Sequence, residues 1–194
     1  MKLGVDFYSQ DAVTLAQKLL GKLLVRKIDG EEIVTKIVET EAYVGPEDKA
    51  CHAYNNKRTD RTKIMFAQGG YSYVYLIYGL HHCFNVVSGK KGKPEAVLIR
   101  AVEPVKGLRV IKKNRQIKSK RIEDLTNGPG KLCQALAIDK NLNGYNLSTG
   151  VELYIRDRQQ EYDLLTTPRV NIGYAEEYKG ELWRFCIKGN TFLS

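Results

Sequence analysis

Two acidic residues and a tyrosine alternate at the end of an apolar segment, in the run Val-Glu-Thr-Glu-Ala-Tyr from Val38 to Tyr43. Because side chains two apart share a face of a β-strand, we expect Glu39, Glu41 and Tyr43 to lie together if the strand continues this far. A carboxylate at the end of an apolar strand is poorly solvated, so it is paired, caps a backbone group or acts as a general base. For a lone glutamate, a solvated strand end is the simpler interpretation.

A second candidate for chemistry is an aromatic strand in which Tyr71, Tyr73 and Tyr75 alternate and therefore share a face. One interpretation is a half-buried strand whose hydroxyl groups find partners. In a basic protein the alternative is a platform for nucleobases, since every base has a π-face. Tyr78 precedes Gly79 at the strand end, where a large aromatic side chain could wedge into a base stack.

These residues need a sheet to position them. A helix is predicted over Ser9 to Leu20, capped by Ser9 or Asp11, and Asp29-Gly30 predicts a hairpin between two β-branched runs. Residues 45–70 are expected to be mostly loop, and Pro104 is expected to start a helix. Further strands are predicted at Tyr71 to Tyr78, Cys83 to Val87, Ala96 to Val102, Val151 to Ile155, Val170 to Ile172 and Leu182 to Ile187. The 194 residues fit one domain, 1–194.

The charge of the chain points to a polyanionic partner. The net charge is +9, and no acid occurs between Val105 and Ile122. Such a run is more typical of phosphate contacts than of a solvated helix face, which is the alternative. The basic residues expected to contact phosphates include Lys106, Arg109, Lys112 and Lys113. Gly130 and Lys131 open a predicted helix, which is either an anion site or an ordinary helix start.

The cysteines and histidines do not indicate a metal site or a disulfide framework. The four cysteines have no paired spacing, and the three histidines do not complete a ligand set. Buried thiols of this kind are typical of a reducing cytoplasm. No stretch has the length and apolar character of a signal peptide or a membrane span. We therefore expect a cytoplasmic protein, nucleoid-associated if bacterial, with no membrane partner.

Several motifs together resemble the alkyladenine (3-methyladenine) DNA glycosylase family over nearly the whole chain. They are Glu39 to Tyr43, Gly45 to Asp48, His52, Met65-Phe66, Tyr73 to Gly79, Leu98 to Pro104, Gly128-Pro129 and Lys131 to Leu136. The resemblance implies a monofunctional enzyme that flips damaged purines out of duplex DNA and hydrolyses their N-glycosidic bond. It also implies an α+β fold, with one domain around a curved, mostly antiparallel sheet and flanking helices, acting as a monomer without a cofactor or metal.

The resemblance also assigns roles by position. It implies that Glu41 is the general base that activates water and that Arg100 assists it. Tyr43, His52 and Tyr75 would form the walls of the base pocket. Asn85 would reject the amino group of normal guanine, and Tyr78 would fill the vacated stack. No lysine is identified as a Schiff-base nucleophile, so strand cleavage is not expected.

Several of these residues have alternative roles, and other classes of protein fit the same pattern. Glu39 rather than Glu41 could carry the essential charge, and Arg100 could simply pair with Glu103. His52 could be an ordinary loop histidine. His81 and His82 depart from the apolar or aromatic residues expected after Gly79. A non-catalytic nucleic-acid binder, or an RNA-binding module, would share the basic surface and the aromatic residues.

Overall fold

The computed structural model describes all residues from Met1 to Ser194, and its centre is a sheet of eight strands. The strands are β1 (Leu23–Ile28), β2 (Glu31–Val44), β3 (Ser72–Ile77), β4 (His81–Ser88), β5 (Glu95–Lys106), β6 (Leu153–Arg156), β7 (Leu164–Thr167) and β8 (Arg184–Ile187). The main order is β3-β4-β5-β2-β1-β6, with β8 between β2 and β7. Every strand pair is antiparallel.

Four α-helices accompany the sheet: α1 (Val5–Tyr8), α2 (Ala12–Leu19), α3 (Leu108–Arg115) and α4 (Pro129–Ala135). Short 3-10 turns occur at Tyr54–Asn56, Lys63–Phe66, Ile122–Leu125, Lys140–Leu142 and Glu176–Gly180. The predicted α+β class and the mostly antiparallel sheet are confirmed. Of the two expected caps for α2, Asp11 is the N-cap, since its side chain accepts a hydrogen bond from the Thr14 amide at 2.9 Å.

Strand β2 is the longest strand and brings the acidic pair to the middle of the sheet. One edge of β2 pairs with β5 along most of its length. The other edge pairs with β1 up to Lys36 and then with β8 from Glu39 to Glu41. Register shifts between Ile37 and Thr40 re-aim the side chains at this point. Glu39 and Glu41 therefore lie between two strands and are fully buried.

The two faces of β2 have different environments. Thr40 points to α2, where its hydroxyl donates to the Ala16 carbonyl oxygen at 2.9 Å, and Ala42 belongs to the main apolar core. Residues 45–70, expected as loop, contain only two short 3-10 turns. This segment packs against the sheet through a small second core that includes Cys51, Ala53 and Met65. The loop is thereby fixed over one end of β3, β4 and β5.

Two of the predicted elements were wrong. Pro104 does not start a helix, because β5 continues through it to Lys106 and α3 begins only after Gly107. Gly107 has a φ of 85° and lies against Ile33, where a Cβ would come within 3.0 Å of the Ile33 Cα.

The predicted strand Val170 to Ile172 is also absent, and the last hairpin is formed by β7 and β8. The Val170 amide donates to the Glu41 carboxylate, and Asn171 has a φ of 58° that interrupts an extended backbone. Elsewhere, all four cysteines are buried free thiols. No helix has the length and apolar character needed to cross a membrane.

Candidate functional site

The carboxylate of Glu41 is held by three donors from three parts of the chain. Its Oε1 atom accepts from the Val170 amide at 2.7 Å, and its Oε2 atom accepts from the Tyr43 hydroxyl at 2.9 Å and from Arg100 Nη1 at 3.3 Å. A carboxylate has about four lone-pair positions, so one remains for a further donor on Oε1. Burial, followed by the charge of Glu41, raises the pKa of Tyr43, which therefore stays a hydrogen-bond donor.

Arg100 on β5 joins Glu41 to Glu39. Its Nε atom donates to Glu39 Oε1 at 3.0 Å, and its side chain is 10% exposed. Burial disfavours the guanidinium charge, but the charges of Glu41 and Glu39 outweigh this effect and raise the pKa of Arg100. The alternative pairing with Glu103 is not present, since Glu103 pairs with Lys36 at 2.6 Å.

A cavity of about 340 Å³ opens beside these residues, a volume within the usual range for small-molecule sites. Most of its lining is apolar or aromatic. The lining includes Tyr43, Ala50, His52, Met65, Tyr73, Tyr75, Tyr78, Cys83, Asn85, Leu98, Arg100, Pro129, Gly130, Val170, Ile172 and Tyr174. The structure thus brings together Tyr43, His52, Tyr75, Asn85 and Arg100, as the resemblance implies, with Glu41 hydrogen-bonded directly to two of them.

Three rings form a packed aromatic group in this cavity. The His52 and Tyr75 centroids are 4.7 Å apart at an interplanar angle of 80°, and Tyr73 and Tyr75 are 5.3 Å apart. His52 Nδ1 lies 2.9 Å from the Tyr73 hydroxyl. His52 is therefore fixed within the site and is not a free loop side chain.

Arg61, which was not selected from the sequence, contacts His52 and contributes to its low pKa. Its Nη2 atom donates to His52 Nε2 at 3.0 Å, and its guanidinium carbon lies 4.7 Å from the Tyr75 ring centroid. The same Nη2 atom lies 3.3 Å from His52 Nδ1, so Arg61 faces both ring nitrogens. Burial, followed by the charge of Arg61, lowers the pKa of His52 to about 4, so the ring is neutral at neutral pH.

Asn85 and Tyr78 lie at opposite extremes of exposure. Asn85 is buried, and its Nδ2 atom donates to the Tyr73 carbonyl oxygen at 3.0 Å. Tyr78 is 83% exposed at the turn between β3 and β4, which closes through the Leu80 amide and the Ile77 carbonyl oxygen at 3.1 Å. Its φ of 53° is uncommon for a residue other than glycine, and such conformations often mark functional positions.

The basic residues expected to contact phosphates occupy two separate regions. Gly130 lies at the cavity, and Lys131 follows it, with its Nζ atom 2.7 Å from Asn127 Oδ1. Lys106 is eight residues beyond Leu98 on β5, about 26 Å of strand. It pairs with Glu32 at 3.0 Å, Arg109 pairs with Glu31, and Lys112 and Lys113 are exposed on the adjoining α3. The structure does not bring these four residues to the cavity.

A buried ion pair beneath the site was not expected from the sequence. Arg169 binds Asp48 through two hydrogen bonds of 2.5 and 2.9 Å, and neither side chain is exposed. The Arg169 guanidinium also lies 4.9 Å from the ring centroids of Tyr43 and Trp183. This contact fixes the segment that carries the Val170 amide. The acidic motif Gly45 to Asp48 was noted, but nothing local identified its partner 121 residues away.

The described residues contain no group of three His, Cys, Asp or Glu side chains arranged to hold a metal ion. Tyr174, also outside the sequence prediction, is 67% exposed and contributes to the cavity lining. The site is therefore an aromatic cavity lined in part by Arg100, with the buried Glu41 carboxylate directly behind three of its lining residues. This arrangement can accept a flat ring, either apolar or cationic. It can also provide a carboxylate that acts as a general base near that ring.

Comparison with known proteins gives the same assignment across the chain. The family described as Methylpurine-DNA glycosylase (MPG) matches residues 6–191. A relative from Natranaerobius thermophilus is 58% identical over 100% of this chain and 99% of its own length. Relatives from Clostridium botulinum and Desulfitobacterium hafniense are 50% and 48% identical, each over 100% of this chain and 99% and 98% of their own lengths. All three carry the name "Putative 3-methyladenine DNA glycosylase". The chain therefore belongs to the methylpurine-DNA glycosylase family.

Proposed function

We propose that this protein excises alkylated purines, above all 3-methyladenine and 7-methylguanine, from duplex DNA and leaves an abasic site. The observation that carries the proposal is the buried Glu41 carboxylate, hydrogen-bonded to Arg100 and Tyr43, which both line an aromatic cavity. The family assignment supports the reaction class. The substrate preference and the roles of individual residues follow from the chemistry of base flipping, of cation–aromatic contacts and of water activation.

The target base has to leave the duplex to reach this site. Flipping costs a few kcal/mol and is easiest where a lesion weakens the stack. Tyr78 is exposed at the turn between β3 and β4 and also lines the cavity, which supports a role for its ring in filling the gap left by the base. Gly130 and Lys131 are the predicted phosphate contacts nearest to this mouth. Lys106 and Arg109 would have to exchange acidic partners for phosphate.

The cavity suits a purine that carries a positive charge. Alkylation at N3 or N7 makes the purine cationic, and a cation gains about 0.5–2 kcal/mol from each contact with an aromatic face. Tyr43 and Tyr75 line the cavity, and each already has a guanidinium near its ring, from Arg169 at 4.9 Å and Arg61 at 4.7 Å, so the purine would stack on the remaining face. The neutral His52 adds no opposing charge. Asn85 is buried in the lining and is proposed to exclude the exocyclic amino group of guanine.

Glu41 is proposed to take a proton from water on its free Oε1 position. The water oxygen then bonds to the sugar carbon as the bond from that carbon to the purine nitrogen breaks, and the electron pair leaves with the purine. Positive charge develops on the sugar in such reactions, and a nearby carboxylate stabilises it. Arg100 orients Glu41 and provides donors for the water or an adjacent phosphate.

The experiment compares wild type with Glu41→Gln on duplex DNA carrying methylated purines, and measures the released bases. The matched control is Glu95→Gln, which removes the charge of another buried glutamate, one that pairs with Lys93 at 2.6 Å and lies outside the cavity lining. Loss of general acid–base help predicts a fall of about 100-fold or more for Glu41→Gln alone, with DNA binding retained. Release by neither wild type nor variant, with selective binding of damaged DNA, would instead indicate a non-catalytic binder.

A further inference from the structure

Glu39 is a buried acid that the proposed reaction does not use. Like Glu41, it is fully buried behind the cavity lining, but only one of its partners, Arg100, lines the cavity, whereas all three partners of Glu41 do. Arg100 Nε and Arg184 Nε donate to its Oε1 atom at 3.0 and 2.6 Å. The Ser194 hydroxyl donates to the same atom at 2.8 Å, and the Ser194 amide donates to Oε2 at 2.6 Å. Four donors therefore converge on one carboxylate.

These contacts determine how Arg100 faces Glu41. The Ser194 oxygen accepts from Arg100 Nε at 3.2 Å and from Arg100 Nη2 at 3.1 Å, so Glu39 and Ser194 occupy one edge of the guanidinium. Because the guanidinium is planar and rigid, holding that edge fixes the direction of Nη1. Nη1 reaches Glu41 through a single contact of 3.3 Å, which is long for a charged pair.

The side-chain charges in this cluster also explain why Arg100 makes only one contact with Glu41. Two carboxylates, Glu39 and Glu41, face two guanidinium groups, Arg100 and Arg184. Without the Glu39 charge, Glu41 would be the remaining acid for Arg100. A guanidinium released from Glu39 would favour a two-pronged pair with Glu41, because such pairs are the strongest that arginine forms with a carboxylate. That pair would occupy the Glu41 lone pair that the attacking water needs.

We propose that Glu39 is a positioning residue which, together with Ser194, holds Arg100 in a single contact with Glu41 and so keeps a Glu41 oxygen available to water. The inference rests on the proposed function, in which Glu41 activates water. It assigns Glu39 a role distinct from that of a general base, and it gives Ser194 a smaller part in the same role.

The test measures single-turnover base release at saturating enzyme, together with the affinity for duplex DNA carrying an abasic analogue. Glu39→Gln keeps the size of the side chain and removes its charge. Loss of a partner that orients an active-site group predicts a rate about 10- to 100-fold lower, with affinity unchanged. Ser194→Ala removes one hydroxyl and should lower the same rate constant by a smaller factor. The matched control is Glu95→Gln, since Glu95 is also a buried glutamate on the sheet, paired with Lys93 at 2.6 Å and outside the cavity; it should keep the wild-type rate.

A double-mutant cycle separates positioning from general damage to the fold. If Glu39 acts through Arg100, then Glu39→Gln should have no further effect in an Arg100→Met background. An equal loss in both backgrounds, a loss confined to DNA affinity, or an unchanged rate would each overturn the inference. If Glu39→Gln does not fold, Ser194→Ala replaces it in the same double-mutant cycle with Arg100→Met, and the same outcomes apply.

The same experiment distinguishes the inference from the proposed function. Absence of base release by wild type would remove the proposed function and the inference together. Release by wild type, its loss in Glu41→Gln and a normal rate in Glu39→Gln would remove the inference alone.

Discussion

The buried pair between Arg169 and Asp48 gives a sharp prediction about stability. Both side chains are fully buried, and their two hydrogen bonds measure 2.5 and 2.9 Å. Arg169 Nη1 also donates to the Ala42 carbonyl oxygen at 3.0 Å. Arg169→Met keeps much of the side-chain bulk but leaves the Asp48 carboxylate without its buried cation.

The expected cost follows from that unpaired charge. Removing one partner of a buried ion pair destabilises a protein by about 3–5 kcal/mol. For a domain of this size each kcal/mol lowers the melting temperature by about 2–4 °C, so a fall of about 6–20 °C is expected. Adding Asp48→Asn should recover only part of this loss. The Asp48 oxygens also accept from the Val44 and Ala50 amides at 3.1 and 2.9 Å, and an asparagine has a single oxygen.

Thermal unfolding followed by circular dichroism measures this change. Arg121→Met is a suitable control, because Arg121 is exposed and lies 3.8 Å from Glu123, and such surface pairs contribute about 0–1 kcal/mol. Base release by folded Arg169→Met should also be slower, because Arg169 anchors the Val170 amide that donates to Glu41. A melting temperature equal to that of the control variant would refute the assignment of this pair as a buried stabilising contact.

Three further predictions concern the cavity. The pKa of His52 is lowered from its ordinary 6.5 to about 4, chiefly by burial, so the unfolded chain binds more protons between these values and stability falls as pH drops from 6.5 to 4. His52→Asn should remove this contribution, on the order of 3 kcal/mol at its low-pH end, as urea unfolding at a series of pH values would measure. Asn85→Ala should increase release of normal guanine relative to 3-methyladenine, and base analysis of unmethylated duplex would detect it. Tyr78→Ala should weaken binding of duplex with an abasic analogue by about 1–3 kcal/mol, measured by fluorescence anisotropy, while an undamaged duplex should show a smaller change.

The local parts of this site were predictable from the sequence. The period-two alternation in Val38 to Tyr43 predicted that Glu41 and Tyr43 share a face of the strand, and the Tyr43 hydroxyl donates to Glu41 at 2.9 Å. The Asp29-Gly30 turn correctly predicts the hairpin of β1 and β2. These features depend on neighbours within a few residues, so pattern and turn chemistry are sufficient to find them.

The partners of the acidic pair were not predictable in the same way. Arg184 is 145 residues from Glu39 in the chain, and their contact depends on β8 pairing beside β2. The segment around Val170 looked like a strand because its composition is β-branched. Its backbone instead serves a side chain, since the Val170 amide binds Glu41. Long-range pairing of this kind leaves no periodic signal in the sequence.

The acid-free segment after Val105 also has long-range partners that the sequence pattern does not indicate. Composition indicated phosphate contacts for Lys106 and Arg109, yet the fold brings Glu32 and Glu31 from the first hairpin against them. A window that contains no acids therefore does not describe an acid-free surface. The phosphate role of these residues remains a prediction, while Gly130 and Lys131 have the more direct position beside the cavity.

In the proposed function a protein with a net charge of +9 binds a cationic base, so its attraction for DNA has to be kept apart from the electric field inside its cavity. The buried guanidinium groups near the site are each matched by carboxylates, Arg100 by Glu39 and Glu41, and Arg169 by Asp48. His52 is kept neutral by burial and by Arg61. The remaining positive charge lies on exposed side chains, including Arg61 beside His52 and Tyr75, where it can attract the phosphate backbone. Inside, the aromatic faces can meet a cationic purine without an unpaired buried cation beside it, which is why the balance between Glu39 and Arg100 should affect the rate of base release more than the affinity for DNA.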